Sequence, residues 1–195
     1  MTKKIVLMAS GNGSLAQAVI DAVATGGLHV GIAEIVCDQP QAYVVTRAQS
    51  AGIPVFVHPM LKDRGIWSKE LMEHVSVINP DLVVSVGFMR ILSPEFVSRF
   101  ATINSHPSLL PNFPGAHAVA DAFRAGVTTT GTTVHWVDEG VDTGKNIAQV
   151  EVPVLAADDV ASLHERIKIV ERELIVKTIA DVLPGLSAAT SPLEN

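Results

Sequence analysis

The stretch Ile5-Val6-Leu7-Met8-Ala9-Ser10-Gly11-Asn12-Gly13-Ser14 decides how this chain folds. Its five consecutive apolar residues fit a strand buried on both faces, as in a parallel sheet, where no solvent face calls for alternation. Two glycines then turn the chain, and Leu15, Val19, Ala22 and Val23 follow at helical spacing. A strand, a glycine turn and a helix start in this order suit an anion. Glycine lets backbone approach it closely, and the helix N-terminus offers free N–H groups and a favourable dipole. The same turn also serves simply to connect strand to helix. It fits Gly-x-Gly-x-x-Ala as well (Gly11, Gly13, Ala16), a dinucleotide fingerprint with Asp38 at the end of the next strand as a ribose ligand. A nicotinamide-dependent oxidoreductase is therefore one reading of this end of the chain.

Working outward, Gly31 to Cys37 and Val55 to Val57 read as strands around a helix from Gln41 to Ala51, which Gly52 ends as a left-handed cap. Arg64 follows in a polar loop. A helix spans Ile66 to Ile78 with Leu71, Val75 and Ile78 on one face, and Asn79-Pro80 stops it. Leu82 to Val86 is a further buried strand. The alternation of strands and helices predicts right-handed crossovers and a Rossmann-like, mostly parallel α/β sheet with helices on both faces. At the carboxyl end of the last of these strands stands Gly87-Phe88-Met89-Arg90-Ile91-Leu92, where open α/β sheets place ligands. So apolar a loop either plugs the core or walls a pocket for a flat heterocycle. Ser93-Pro94-Glu95 then opens a short helix.

Thr102-Ile103-Asn104-Ser105-His106-Pro107 begins as a strand that Pro107 ends, because proline has no N–H to donate. Asn104 and His106 lie two apart and so share a face. An amide beside an imidazole suits the stabilisation of a developing oxyanion with proton transfer. The pair equally fits a capped loop entry holding a satisfied histidine. Beyond the loop to His117 and a helix to Arg124, Thr130 to Val137 and Ile147 to Val154 form a C-terminal antiparallel hairpin. Between them lies the acidic turn Asp138-Glu139-Gly140-Val141-Asp142-Thr143-Gly144. The last helix starts near Asp158, with Val160, Leu163, Ile167, Val170 and Leu174 as its buried stripe. Lys168 and Glu171, three apart, share an edge that a surface ion pair would explain.

With 195 residues, the chain is expected to form a single domain. Residues 1–100 would be its phosphate-binding half, 101–183 its catalytic half and 184–195 a loop-like tail. A net charge of −6 offers nucleic acid or an anionic membrane no broad basic surface. The N-terminal apolar run is too short for a signal peptide and no run reaches membrane-spanning length, so the cytoplasm is the expected compartment. Neither His-Glu-x-x-His nor Cys-x-x-Cys occurs among seven histidines and one cysteine, so no metal site is expected. A nucleophile elbow is missing too, since Val83 stands two before Ser85.

In order and spacing these segments resemble the phosphoribosylglycinamide formyltransferase family over nearly the whole chain. Gly87 to Leu92, Asn104-Ser-His106-Pro-Ser-Leu-Leu-Pro111 with Pro114-Gly115, and Gly131-Thr-Thr-Val-His135 leading to Val141-Asp142-Thr-Gly144 carry the resemblance. It implies Asn104, His106 and Asp142 as the catalytic set. For the ribonucleotide it implies Gly13, Ser14, Leu15, Lys168 and Glu171. For the folate it implies Arg64, Met89, Arg90, Ile91, Leu92, Asp138, Glu139, Gly140 and Val141. It further implies 10-formyltetrahydrofolate as co-substrate, no metal, and a monomer or homodimer acting on small molecules. Leu15 departs from the family's commoner Gly-Asn-Gly-Ser-Asn turn, and Lys145 stands where proline is frequent. A nicotinamide oxidoreductase leaves Asn104, His106 and Asp142 unexplained, whereas a non-catalytic ribonucleotide- or folate-binding module would bind without transfer.

Overall fold

A computed structural model describes residues 2–186, which form one seven-stranded sheet flanked by six α-helices. The parallel part comprises β1 (Lys4–Ala9), β2 (Gly31–Cys37), β3 (Val55–Val57), β4 (Leu82–Ser85) and β5 (Thr102–His106). Antiparallel β6 (Thr129–Trp136) and β7 (Asn146–Pro153) complete it, in the order β3-β2-β1-β4-β5-β6-β7. Among the described residues no helix is long and apolar enough to cross a membrane.

The continuous apolar runs are explained by burial on both sides. Along β1, Ile5, Leu7 and Ala9 face one core and Val6 and Met8 the other, and β2 and β4 divide in the same alternating way. The first core is closed by α1 (Ser14–Ala24), α2 (Tyr43–Ser50) and α6 (Val160–Val182). The second is closed by α3 (Arg64–Ile78) and α4 (Pro94–Arg99). A small third cluster joins Val119 of α5 (Ala118–Arg124) to Val152, Leu163 and Ile167.

Several local expectations are corrected. Arg64 is the first residue of α3, not a loop residue, because Asp63 accepts from the Ile66 N–H and caps the helix two residues earlier than expected. On α1 the fully buried positions are Ala16, Val19 and Ile20, with Leu15, Ala22 and Val23 at the margin of the core. The buried stripe of α6 takes Glu171 as well, Val170 is only partly buried against the third cluster, and Val160 lies outside the stripe. Leu183–Gly185 is a 3-10 turn instead of loop, and the remainder of the expected tail, 187–195, lies outside the described residues.

This order puts a switch point between β1 and β4, where the chain leaves β1 in one direction for β2 and β3 and later returns to its other side. Open α/β sheets bind ligands there. The glycine turn after β1 and the apolar loop after β4 flank this point and are tied together. The Ser10 N–H donates to the Gly87 carbonyl at 2.9 Å, and the Met89 N–H donates to Ser10 Oγ at 2.8 Å.

Candidate active site

A cleft of about 860 Å³ opens at the switch point and is bounded chiefly by five segments. Gly11 to Leu15 and Ser85 to Leu92 form one side, the β5 residues Asn104 to Pro107 the floor, and the acidic turn and α6 the rest. All the expected site residues line it except Arg64 and Glu139. Arg64 acts from outside the cleft, its guanidinium donating to the Ile91 carbonyl at 3.0 Å and so bracing the apolar loop. That loop divides by position, with Phe88 and Leu92 buried against α3 and α4 while Met89 and Ile91 stand 63% and 48% exposed at the rim.

The floor is set by strand register. Antiparallel pairing places Asn104 opposite His135, and the Asn104 amide nitrogen lies 3.2 Å from His135 Nε2. His106, two residues on, shares the face. The carboxylate of Asp142 sits between the two imidazoles, 3.4 Å from His106 Nδ1 through one oxygen and 3.4 Å from His135 Nε2 through the other. The Gly115 N–H donates to it at 2.8 Å. Burial alone would push the Asp142 carboxyl up, but the His135 hydrogen bond, the Gly115 amide and the two imidazoles outweigh it and hold it below the usual carboxylate range.

The outer nitrogens of both rings are fixed by carbonyls, which only accept. His106 Nε2 donates to Phe113 at 2.9 Å and His135 Nδ1 to Trp136 at 2.7 Å. Each ring therefore turns its other nitrogen to Asp142. The Asn104 amide nitrogen also donates to an Asp142 oxygen at 3.5 Å, a long and weak bond that a ligand oxygen can displace.

The sequence motif that ends at His135 does not by itself reveal a role for this residue. Its signal lies in the β5–β6 register, which exists only once the strands pair. Glu171 is no surface partner of Lys168. It is buried, and accepts from Ser105 Oγ at 2.9 Å, whereas Lys168 pairs with Glu165 at 2.7 Å. Burial pushes the Glu171 carboxyl up, opposed by the Ser105 bond and the Lys168 charge. Its signal was readable as an acid in core register, four after Ile167 and three before Leu174. His164 and Arg172 also line the cleft from α6. Desolvation and the Lys168 charge hold the His164 imidazole down.

Asp38, the ribose ligand of the dinucleotide reading, is buried and held by Arg90 Nε at 2.6 Å. This carboxylate faces a guanidinium rather than a free ribose site. Among the described residues no group of three or more His, Cys, Asp or Glu side chains is arranged to hold a metal ion.

A switch-point cleft whose floor carries an ionised carboxylate between two imidazoles, with an amide donor beside them, defines an enzyme of acyl-type group transfer. The chain belongs to the formyl transferase family, whose profile matches residues 3–179. It is 46% identical over 184 residues to the phosphoribosylglycinamide formyltransferase of Mycobacterium tuberculosis, covering 91% of this chain and 83% of that one. With the phosphoribosylglycinamide formyltransferase of Bacillus subtilis the identity is 36%, over 93% and 95% of the two chains. The crystal structure of glycinamide ribonucleotide transformylase 1 from Geobacillus kaustophilus is similar at a TM-score of 0.90 and 38% identity, covering 94% of this chain and all of that one.

Proposed function

We infer that the protein transfers a formyl group from 10-formyltetrahydrofolate to the amine of phosphoribosylglycinamide, the formylation step of purine biosynthesis. The observation that carries this reading is the position of the Asn104, His106, His135 and Asp142 group between two unlike binding regions of one cleft. One region offers a glycine turn and the cations Lys168 and Arg172, suited to a phosphorylated sugar. The other offers Phe88, Ile91, Leu92, Val137 and Val141 beside the backbone of 89–92 and 138–142, suited to a flat heterocycle that needs apolar cover and a few directed hydrogen bonds. Chemically, the residues present fit a folate.

In this arrangement the ribonucleotide amine adds to the formyl carbon, and the carbonyl oxygen takes up negative charge. The Asn104 amide, turning from its long bond to Asp142, stabilises that charge. His106 can add a second donor by exchanging the Phe113 carbonyl for the oxyanion at Nε2. Asp142, ionised and shared by both rings, balances a proton on either imidazole and conducts the amine proton toward the departing folate nitrogen, directly or through a water. As the new C–N bond forms, the bond to that nitrogen breaks and it receives the proton. Gly13, Ser14, Leu15, Lys168 and Glu171 are assigned to the ribonucleotide. The loop 89–92 and the turn 138–141 are assigned to the folate, with Arg64 supporting them through Ile91.

The test is the absorbance change of 10-formylfolate conversion with and without glycinamide ribonucleotide. Conversion that requires the ribonucleotide is expected. Conversion without it would indicate a folate hydrolase, and none at all a binding module.

A further inference from the structure

Gly13 is the N-cap of α1 and has φ +74, so it brings no side chain to cap the first N–H groups of that helix. Gly13, Ser14 and Leu15 line the cleft, so the first N–H groups of α1, which a helix leaves unpaired, lie along its wall. A turn that binds an anion through its backbone amides depends on keeping its carbonyls out of the way. In this protein α2 holds two of them. The Gly11 carbonyl accepts from the Val44 N–H at 3.2 Å, and the Asn12 carbonyl accepts from Arg47 Nε at 2.8 Å. Arg47 extends the grip, with Nη2 donating to the Asn12 side-chain oxygen at 2.9 Å and Nη1 to Gln17 Oε1 at 3.1 Å. The Tyr43 ring lies under the guanidinium, 4.8 Å from its centroid, and fixes the plane of the fork. Val44 meanwhile packs so closely under Gly13 that a Cβ there would come within 2.5 Å of its Cγ2.

We propose that Arg47 is a positioning residue for ribonucleotide binding, clamping Asn12 from behind so that the glycine turn presents N–H groups to the phosphate. None of the residues so far assigned to the site includes it, and Arg47 does not line the cleft. It acts through the backbone it holds. A guanidinium suits this because one planar group must reach a main-chain carbonyl and two side-chain oxygens together, which an ammonium cannot do. The proposal rests on the ribonucleotide reading of the turn and adds to it the device that holds the Gly11 and Asn12 carbonyls away from the anion.

The experiment compares wild type, Arg47→Lys and Arg47→Ala in KM for the ribonucleotide, KM for the formyl folate and kcat, with thermal melts of each. Losing charge-assisted bonds of this kind predicts a rise in ribonucleotide KM of about ten-fold in Arg47→Ala, with Arg47→Lys between it and wild type. Folate KM and kcat should stay unchanged. Arg47→Lys decides the matter if the alanine variant does not fold. An unchanged ribonucleotide KM in a folded variant overturns the proposal, as does a parallel rise in folate KM, which would mark Arg47 as structural only. Calorimetric titration of ribose 5-phosphate is read independently of transfer, so that it survives a failure of the functional reading. Weaker binding by the variants is expected there, and equal binding or no binding by wild type overturns the clamp.

Discussion

Asp142 stands at φ +55, in the left-handed region that few side chains other than Asn and Asp tolerate. Asp142→Asn should therefore keep the turn and the melting temperature, yet lose most activity, because a neutral amide cannot balance charge on His106 or His135. Near-normal kcat in that variant would remove Asp142 from the mechanism. Glu171 gives a prediction of opposite character. Its carboxyl is held above the usual range by burial, so the native state keeps the proton to higher pH than the unfolded chain does. The stabilisation this brings is complete below the ordinary carboxylate value and is lost as pH rises through the raised one. Glu171→Gln retains an acceptor for Ser105 without the buried charge. Its stability relative to wild type should grow as pH rises above the ordinary carboxylate range, measured by thermal melts, while ribonucleotide KM rises. A constant difference, or a variant less stable throughout, would contradict the burial account. Asn104 and His106 were legible in the sequence from their spacing on one strand. The part played by His135 was not, since it depends on which residue of a distant strand comes to lie opposite Asn104.

At the scale of elements, the acidic turn delivers Asp142 to the histidines only because Gly144 lets it close tightly. A Cβ on Gly144 would collide with the Trp136 carbonyl on the neighbouring strand. Gly144→Ala should thus cost a few kcal/mol, as overpacking at backbone does, and lower kcat by shifting Asp142. Denaturant melts and turnover check both, and a stable, fully active variant would show that the turn does not set the carboxylate. The elements themselves were largely readable. Continuous apolar runs gave the buried strands, and Ser93 and the glycine turn marked helix starts. The errors had local causes: an N-cap at Asp63 that moved Arg64 into α3, and a polar residue inside the core stripe of α6. Lys145, the other departure from the family, meets β6 through its carbonyl, which accepts from the Trp136 N–H at 3.0 Å. That bond is indifferent to the side chain.

Across the whole molecule one sheet runs from β3 to β7, and although the second core lies within 1–100 and the third cluster within 101–183, the largest core packs β1, β2 and β4 together with Ile103, Val134 and α6 and so joins the two halves. We therefore propose that the chain unfolds as a unit. Fluorescence of Trp67, on the buried face of α3, and of Trp136, on β6, should report the same denaturant midpoint as far-UV circular dichroism, each tryptophan being followed in a variant lacking the other. Separate midpoints would indicate two folding units. The same continuity fixes the cleft, because its floor is a strand of the sheet and its sides are the loops that leave the sheet at the switch point. The central claim, that this floor performs formyl transfer, is tested most directly by ribonucleotide-dependent conversion of 10-formylfolate by wild type and Asn104→Ala at saturating substrates. Loss of one oxyanion donor predicts a fall in kcat of about a hundred- to a thousand-fold with the fold intact. A well-folded Asn104→Ala enzyme that turns over at the wild-type rate would contradict it.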